Sequence, residues 1–208
     1  MKIDHKKISD KIHLLTFRTQ RDVTSTLLRF QEYYESPNFK GKIFLLKEYK
    51  EWYILNSPNS KKTGKFTYYS DWNGFNIPSY VLKPFYKGRF DPLSKSEKMI
   101  LKIFEDTANP FYIIGIHEET KIGHLLKHEI AHGLFYTNKK YRDEVLQILK
   151  KYNTEKIKEE LRSKAGYHEE VLEDEIHAYA IDSIKSLKTP IPKKLSIELR
   201  KIFNQLLQ

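Results

Sequence analysis

A chain of 208 residues with formal charge +10 and 39 % apolar residues can form one sizeable domain or two small ones. It has no cysteine, which excludes disulfides and thiolate metal ligands, and no apolar run long enough to span a bilayer. Met1-Lys2-Ile3-Asp4-His5-Lys6-Lys7 leads into no long apolar segment, so there is no recognisable secretory signal. The cytoplasm is therefore the expected compartment, with export lacking such a signal left open.

In chain order, the pattern predicts a helix over 23–34, a strand over 42–46 and a short helix over 47–53. The polar run 57–65 reads as a loop. Strands are expected at 66–70 and 77–82, the second only as an edge because Pro78 has no N–H to give a ladder. The aromatic residues Phe66, Tyr68, Tyr69, Trp72, Phe75 and Tyr80 suit a core between sheet and helix, or the wall of a groove. A helix follows over 94–106, capped by Asp91 or Ser94, and then a β-prone run, Phe111–Ile116. From Thr120 onward the chain reads as nearly all helix, with segments at 142–151, 154–164, 169–186 and 193–207 after the first. The class is α+β: a mixed or antiparallel N-terminal sheet packed on a mostly helical C-terminal half.

The first of those C-terminal helices holds the most informative residues, His128-Glu129-Ile130-Ala131-His132. Ile122, Leu126, Ile130 and Leu134 recur at helical spacing, while His124, Leu125, His128, His132 and Phe135 occupy the other side. Residues i and i+4 share a helix face, so His128 and His132 can hold one zinc ion. Glu129, about 100° further round the helix, can reach a water beside that ion and act as general base. His124 reads as a hydrogen-bonded core histidine.

A catalytic zinc usually has three protein ligands. Within Glu173-Asp174-Glu175-Ile176-His177-Ala178-Tyr179-Ala180, Glu175 shares its face with Val171, Leu172, Ala178 and Tyr179, whereas Glu173 and His177 point the other way. A carboxylate in an apolar stripe is costly without a cation or hydrogen bonds to compensate it, which makes Glu175 the third ligand. Ala178 is small enough to let the two helices approach closely. Asp182, two turns beyond Glu175, either orients a ligand histidine or is a surface aspartate.

An HExxH pair followed by Glu175-x-x-Ala178 resembles the gluzincin branch of the zincin metallopeptidases. The apolar lead-in to the motif and Glu175–Ala180 are similar to ImmA/IrrE-type metallopeptidases. The spacing of 175 − 132 = 43 positions and the pair Glu173-x-Glu175 are more like the anthrax lethal factor and Pro-Pro endopeptidase family. In that family a tyrosine seven residues before the ligand glutamate assists catalysis. Position 168 here is His, and Tyr167 lies one place away, so the resemblance puts Tyr167 and His168 forward for that role, with Tyr179 next. The resemblance covers roughly residues 111–186; residues 1–110 carry none.

The resulting expectation is one zincin-like domain over 1–208, an α/β part in 1–110 and a helical catalytic part in 111–208. It would be a Zn²⁺-dependent endopeptidase acting on a peptide or protein substrate, the peptide added as a strand beside Phe66–Ser70 or Phe111–Ile116. Two other classes remain open: a catalytically inactive zinc-binding regulatory module, and a basic nucleic-acid-binding protein. Nucleic acid is the less expected partner, because Lys150, Lys151, Lys156, Lys158, Arg162 and Lys164 alternate with Glu155, Glu159 and Glu160 as on a solvated, ion-paired helix.

Overall fold

Ile-His-Leu-Leu-Thr-Phe at Ile12–Phe17 sends side chains to both faces of a strand, and nearly all of them are buried. Such a strand belongs in the middle of a sheet. In the computed structural model, which describes residues 2–36, 38–120, 123–165, 169–182 and 187–207, that is where it lies. β1 (Ile3–Ser9) and β2 (Ile12–Phe17) form an antiparallel hairpin. β2 runs parallel to β4 (Tyr112–His117), with Ile12 opposite Tyr112 and Phe17 opposite His117. β3 (Gly74–Pro78) closes the other side of β4 antiparallel, which gives a four-stranded mixed sheet of order β1-β2-β4-β3.

The chain folds as two compact units, Met1–Thr120 and Lys121–Gln208. In the first, α1 (Gln20–Glu35) starts at Thr19, whose side chain accepts from the Asp22 amide. Its apolar stripe Val23, Leu27 and Phe30 is fully buried, and the helix packs across β2, β4 and β3. Burying each such side chain contributes about 1.5–3 kcal/mol. Gly115 in β4 permits this approach: a Cβ there would lie 2.2 Å from Leu27 Cδ1. The remaining helices of this unit are α2 (Leu46–Asn56), α3 (Pro58–Thr63), α4 (Tyr68–Asp71), α5 (Lys83–Tyr86) and α6 (Lys95–Phe104). Around α2 and α4 the rings of Tyr49, Tyr53, Phe66 and Tyr68 pack edge-to-face or stacked. Trp72 and Tyr80 remain about half exposed, at 49 % each.

Several local expectations change. Phe66–Ser70 is not a strand: Thr67 Oγ1 donates to Asp71 Oδ2 at 2.6 Å and the Asp71 amide to Thr67 O at 3.1 Å, which winds Tyr68–Asp71 into a helical turn. Phe111–Ile116 does form a strand, shifted by one residue, but β2 and β4 and then β4 and β3 are hydrogen-bonded, so it has no free edge. Neither segment can accept an added strand; the sheet edges are β1 and β3. Residues 42–45 form neither strand nor helix. The expected loop at 57–65 contains α3, with Pro58 in its first turn and Gly64 at φ 66° closing it. The strand expected at 77–82 spans Gly74–Pro78 and gives way to a 3-10 turn at Ser79–Leu82.

The second unit is built of helices: α7 (Gly123–Thr137), α8 (Lys139–Leu149), α9 (Glu155–Ala165), α10 (Leu172–Asp182) and α11 (Lys193–Gln205), with a 3-10 turn at Glu169–Val171 leading into α10. α10 packs along α7 and also against α8, α9 and α11. Ala131 and Ala178, both fully buried, supply small residues on these two helices. Arg162 on α9 is ion-paired with Glu155 and Glu169 at 2.9 and 2.7 Å, and Lys158 with Glu173 at 2.6 Å. Among the described residues no helix is long and apolar enough to cross a membrane.

Candidate metal centre

α7 places His128 and His132 one turn apart, and α10 brings Glu175 to the same point. The two Nε2 atoms lie 3.0 Å apart. Glu175 Oε2 is 3.9 Å from His128 Nε2, and Glu175 Oε1 is 3.7 Å from His132 Nε2. One ligand atom from each residue falls within 4.8 Å of the others. Tetrahedral zinc with bonds of about 2.0–2.1 Å sets its ligand atoms roughly 3.3 Å apart, so these spacings bracket the required ones.

The opposite nitrogens of both rings are held by carboxylates. His128 Nδ1 lies 2.7 Å from Asp182 Oδ2, and His132 Nδ1 lies 2.9 Å from Asp174 Oδ2. Each Nδ1–H donates to its carboxylate, which turns the Nε2 lone pair toward the shared point, the arrangement that metal-binding histidines commonly have. Asp182, one of two readings from its spacing, is buried at 1 % exposure and orients His128.

The electrostatics describe a place for a cation. Burial opposes a charge on His132, but the carboxylates of Asp174, Glu175 and Glu129 outweigh it and hold its pKa up at about 10. Burial pushes Glu175 above the usual carboxylate range, against the pull of His132 and His128. Burial also works against ionised Asp174, yet His132 and His177 bring its pKa below the ordinary value. Glu175 Oε2 is buried without a hydrogen-bond partner. Two ring nitrogens 3.0 Å apart and that carboxylate oxygen thus surround a point where a divalent ion would satisfy all three groups. The donor set, two imidazoles and a carboxylate, suits zinc.

A second histidine pair behaves oppositely. His5 Nε2 and His13 Nδ1 are 2.9 Å apart on the β1–β2 hairpin. Burial, with His5 and Lys7, drives the pKa of His13 down to about 4. No carboxylate completes that pair into a metal-ligand group among the described residues.

Glu129 follows His128 on α7 and is half-buried. The Tyr179 ring meets the His128 ring edge-on, with centroids 4.9 Å apart. Tyr167 and His168 lie outside the described residues, as does the His124 side chain. Glu173, set aside as a ligand, is paired with Lys158. A cavity of ≈ 290 Å³ lined by Leu146, Tyr152, Lys158 and Glu173 involves none of the three candidate ligands.

His177, which the helical wheel set away from the face of Glu175, is fully buried there, its ring against Phe135 and its Nε2 2.6 Å from the Tyr141 hydroxyl. Asp174 and Tyr141 were not singled out from the sequence. The need of His132 Nδ1 for an acceptor was a usable signal for Asp174. Tyr141 had no local signal, because it arrives from α8, whose first turn is fixed by Asn138 Oδ1 accepting from the Tyr141 amide at 3.0 Å. Comparison with known proteins found no matching family model, curated protein or solved structure.

Proposed function

We propose that this chain is a zinc-dependent endopeptidase of gluzincin type, with His128, His132 and Glu175 holding the ion and Glu129 as general base. The observation that carries the reading is the double arrangement at the histidines. Both Nδ1 atoms are committed to carboxylates, Asp182 and Asp174, and both Nε2 atoms turn to one point beside an oxygen of Glu175 that has no hydrogen-bond partner. Zinc, when bound, supplies a Lewis acid for the scissile carbonyl and lowers the pKa of a water to about 7. Glu129 takes the proton from the attacking water and hands it to the leaving amine. Tyr179, whose ring lies against that of His128, is the described candidate for donating to the developing oxyanion. The expected substrate is a peptide or protein.

Metal analysis of the purified chain, with hydrolysis of internally quenched peptides, tests this reading. The expected result is one zinc per chain. Glu129→Gln should keep zinc and fold while hydrolysis falls about 10²–10⁴-fold, since an amide cannot accept the water's proton. His128→Ala should lose zinc. Hydrolysis unchanged by Glu129→Gln would show that another base operates. Zinc retained with no hydrolysis by the wild type would make the chain a zinc-binding module, and absence of zinc would sink both readings.

A further inference from the structure

The carboxylate that holds His132 is approached from its far side by two more buried groups. We infer that Tyr141 and His177 are positioning residues for the metal centre, acting through Asp174 to keep the Nε2 lone pair of His132 aimed at the ion. The inference rests on the zinc reading above and extends the site from α7 and α10 to α8.

Hydrogen-bond directions carry it. Tyr141 and His177 are buried at 2 % and 0 % exposure, and the phenol oxygen is 2.6 Å from His177 Nε2. His177 Nδ1 faces Asp174 Oδ1 at 3.5 Å, long for a hydrogen bond, and neither atom has another partner. Two proton arrangements exist for a neutral His177 ring. If the proton sits on Nε2, it points at the tyrosine oxygen, and the bare Nδ1 lone pair faces the buried Oδ1 of Asp174. Two acceptors opposed in a dry interior are costly. If the phenol donates to Nε2 instead, the ring proton sits on Nδ1 and points at Asp174 Oδ1. Only the second arrangement sets a donor opposite every acceptor.

Asp174 then faces an N–H on each oxygen, His132 at 2.9 Å from Oδ2 and His177 at 3.5 Å from Oδ1. That fixes the plane of its carboxylate, fixes the His132 tautomer, and leaves His132 Nε2 as an acceptor for metal. The protons are ordered from Tyr141 to His177 to Asp174, and the order matters only if something binds at Nε2. A tyrosine–histidine pair serving the core alone would have no need of Asp174.

A double-mutant cycle on zinc affinity separates the two roles. Zinc dissociation constants would be measured by competition with a chromophoric chelator for wild type, Tyr141→Phe, Asp174→Asn and the double variant. The visible spectrum of the cobalt-substituted protein gives a second readout, and far-ultraviolet circular dichroism monitors the fold. Asp174→Asn should weaken zinc binding about 10–100-fold, as loss of a carboxylate behind a ligand histidine does. Tyr141→Phe, which removes only a hydroxyl, should weaken it by about 3–10-fold and shift the cobalt bands, yet add nothing in the Asp174→Asn background. If Asp174→Asn does not fold, His177→Phe takes its place in the cycle with the same expectation. Tyr141→Phe with unchanged affinity, or with an equal loss in both backgrounds, would overturn the inference while leaving the metal reading in place. A wild-type chain that takes up no zinc would overturn both.

Discussion

Each unit buries a cluster of charged and ionisable groups, and the two clusters are completed differently. In the first, Arg29 of α1 meets Glu97 of α6 in a two-pronged pair, Nε to Oε1 and Nη2 to Oε2, each at 2.7 Å. The side chains are only 5 % and 6 % exposed, and Arg29 spends further donors on the carbonyls of Phe90 and Pro92. The cation belongs to the protein. In the second, Asp174, Glu175 and Asp182 surround two histidines, and Glu175 Oε2 is left without a partner. There the positive charge comes from histidine protons, which are exchangeable. A cluster that carries its own guanidinium is already closed, and loss of one partner is what destabilises it; one that depends on protons can trade them for a metal.

Breaking the closed cluster should have the largest effect. Arg29→Met removes the guanidinium and leaves Glu97 buried, with one oxygen still taken by the Ser94 amide. Loss of one partner from a buried pair costs about 3–5 kcal/mol. Urea unfolding should show that loss equally with and without zinc. A loss under about 1 kcal/mol would mean that the pair behaves like a surface ion pair.

The open cluster should respond to metal instead. Zinc that binds only the folded state stabilises it by about 2.7 kcal/mol at a free concentration 100 times its dissociation constant. The wild type should therefore melt higher on zinc addition, Arg29→Met should retain that gain, and His132→Ala should lose it. An equal shift in His132→Ala would place the zinc elsewhere on the chain.

The comparison also separates what was legible in the sequence from what was not. His128, His132 and Glu175 could be read because helical periodicity is local: four-residue spacing in α7 and an acid in an apolar stripe of α10 are visible without knowing the fold. Asp182 fell on the same face by the same arithmetic. The burial of His177 was not legible, because a helical wheel does not show that α8 covers the other side of α10. Arg29 and Glu97 lie 68 positions apart, and nothing local links them. In the first unit, β1 (Ile-Asp-His-Lys-Lys-Ile-Ser) has little apolar content, and its extended form comes from pairing with β2. Phe66–Ser70 had the composition of a strand, but the side chains of Thr67 and Asp71 offered the backbone a tighter alternative.

The smallest effect sharpens how closed the first cluster is. Ser94 caps α6: its hydroxyl accepts from the Glu97 amide at 3.1 Å, while Glu97 Oε2 accepts from the Ser94 amide at 2.7 Å. Glu97 therefore serves both the helix end and Arg29. Ser94→Ala removes only the hydroxyl. The backbone amide of residue 94 still donates to Glu97, and Arg29 still holds both carboxylate oxygens. If the Arg29 pair fixes Glu97 by itself, the substitution should cost about 1 kcal/mol, the usual value of a lost N-cap, as measured by urea unfolding. Combined with Arg29→Met it should then cost more than it does alone, because the residue 94 amide is then what still holds the buried carboxylate, and the lost cap loosens the helix end that positions it. A loss as large as that of Arg29→Met would instead show that the cap places Glu97 and that the guanidinium only follows.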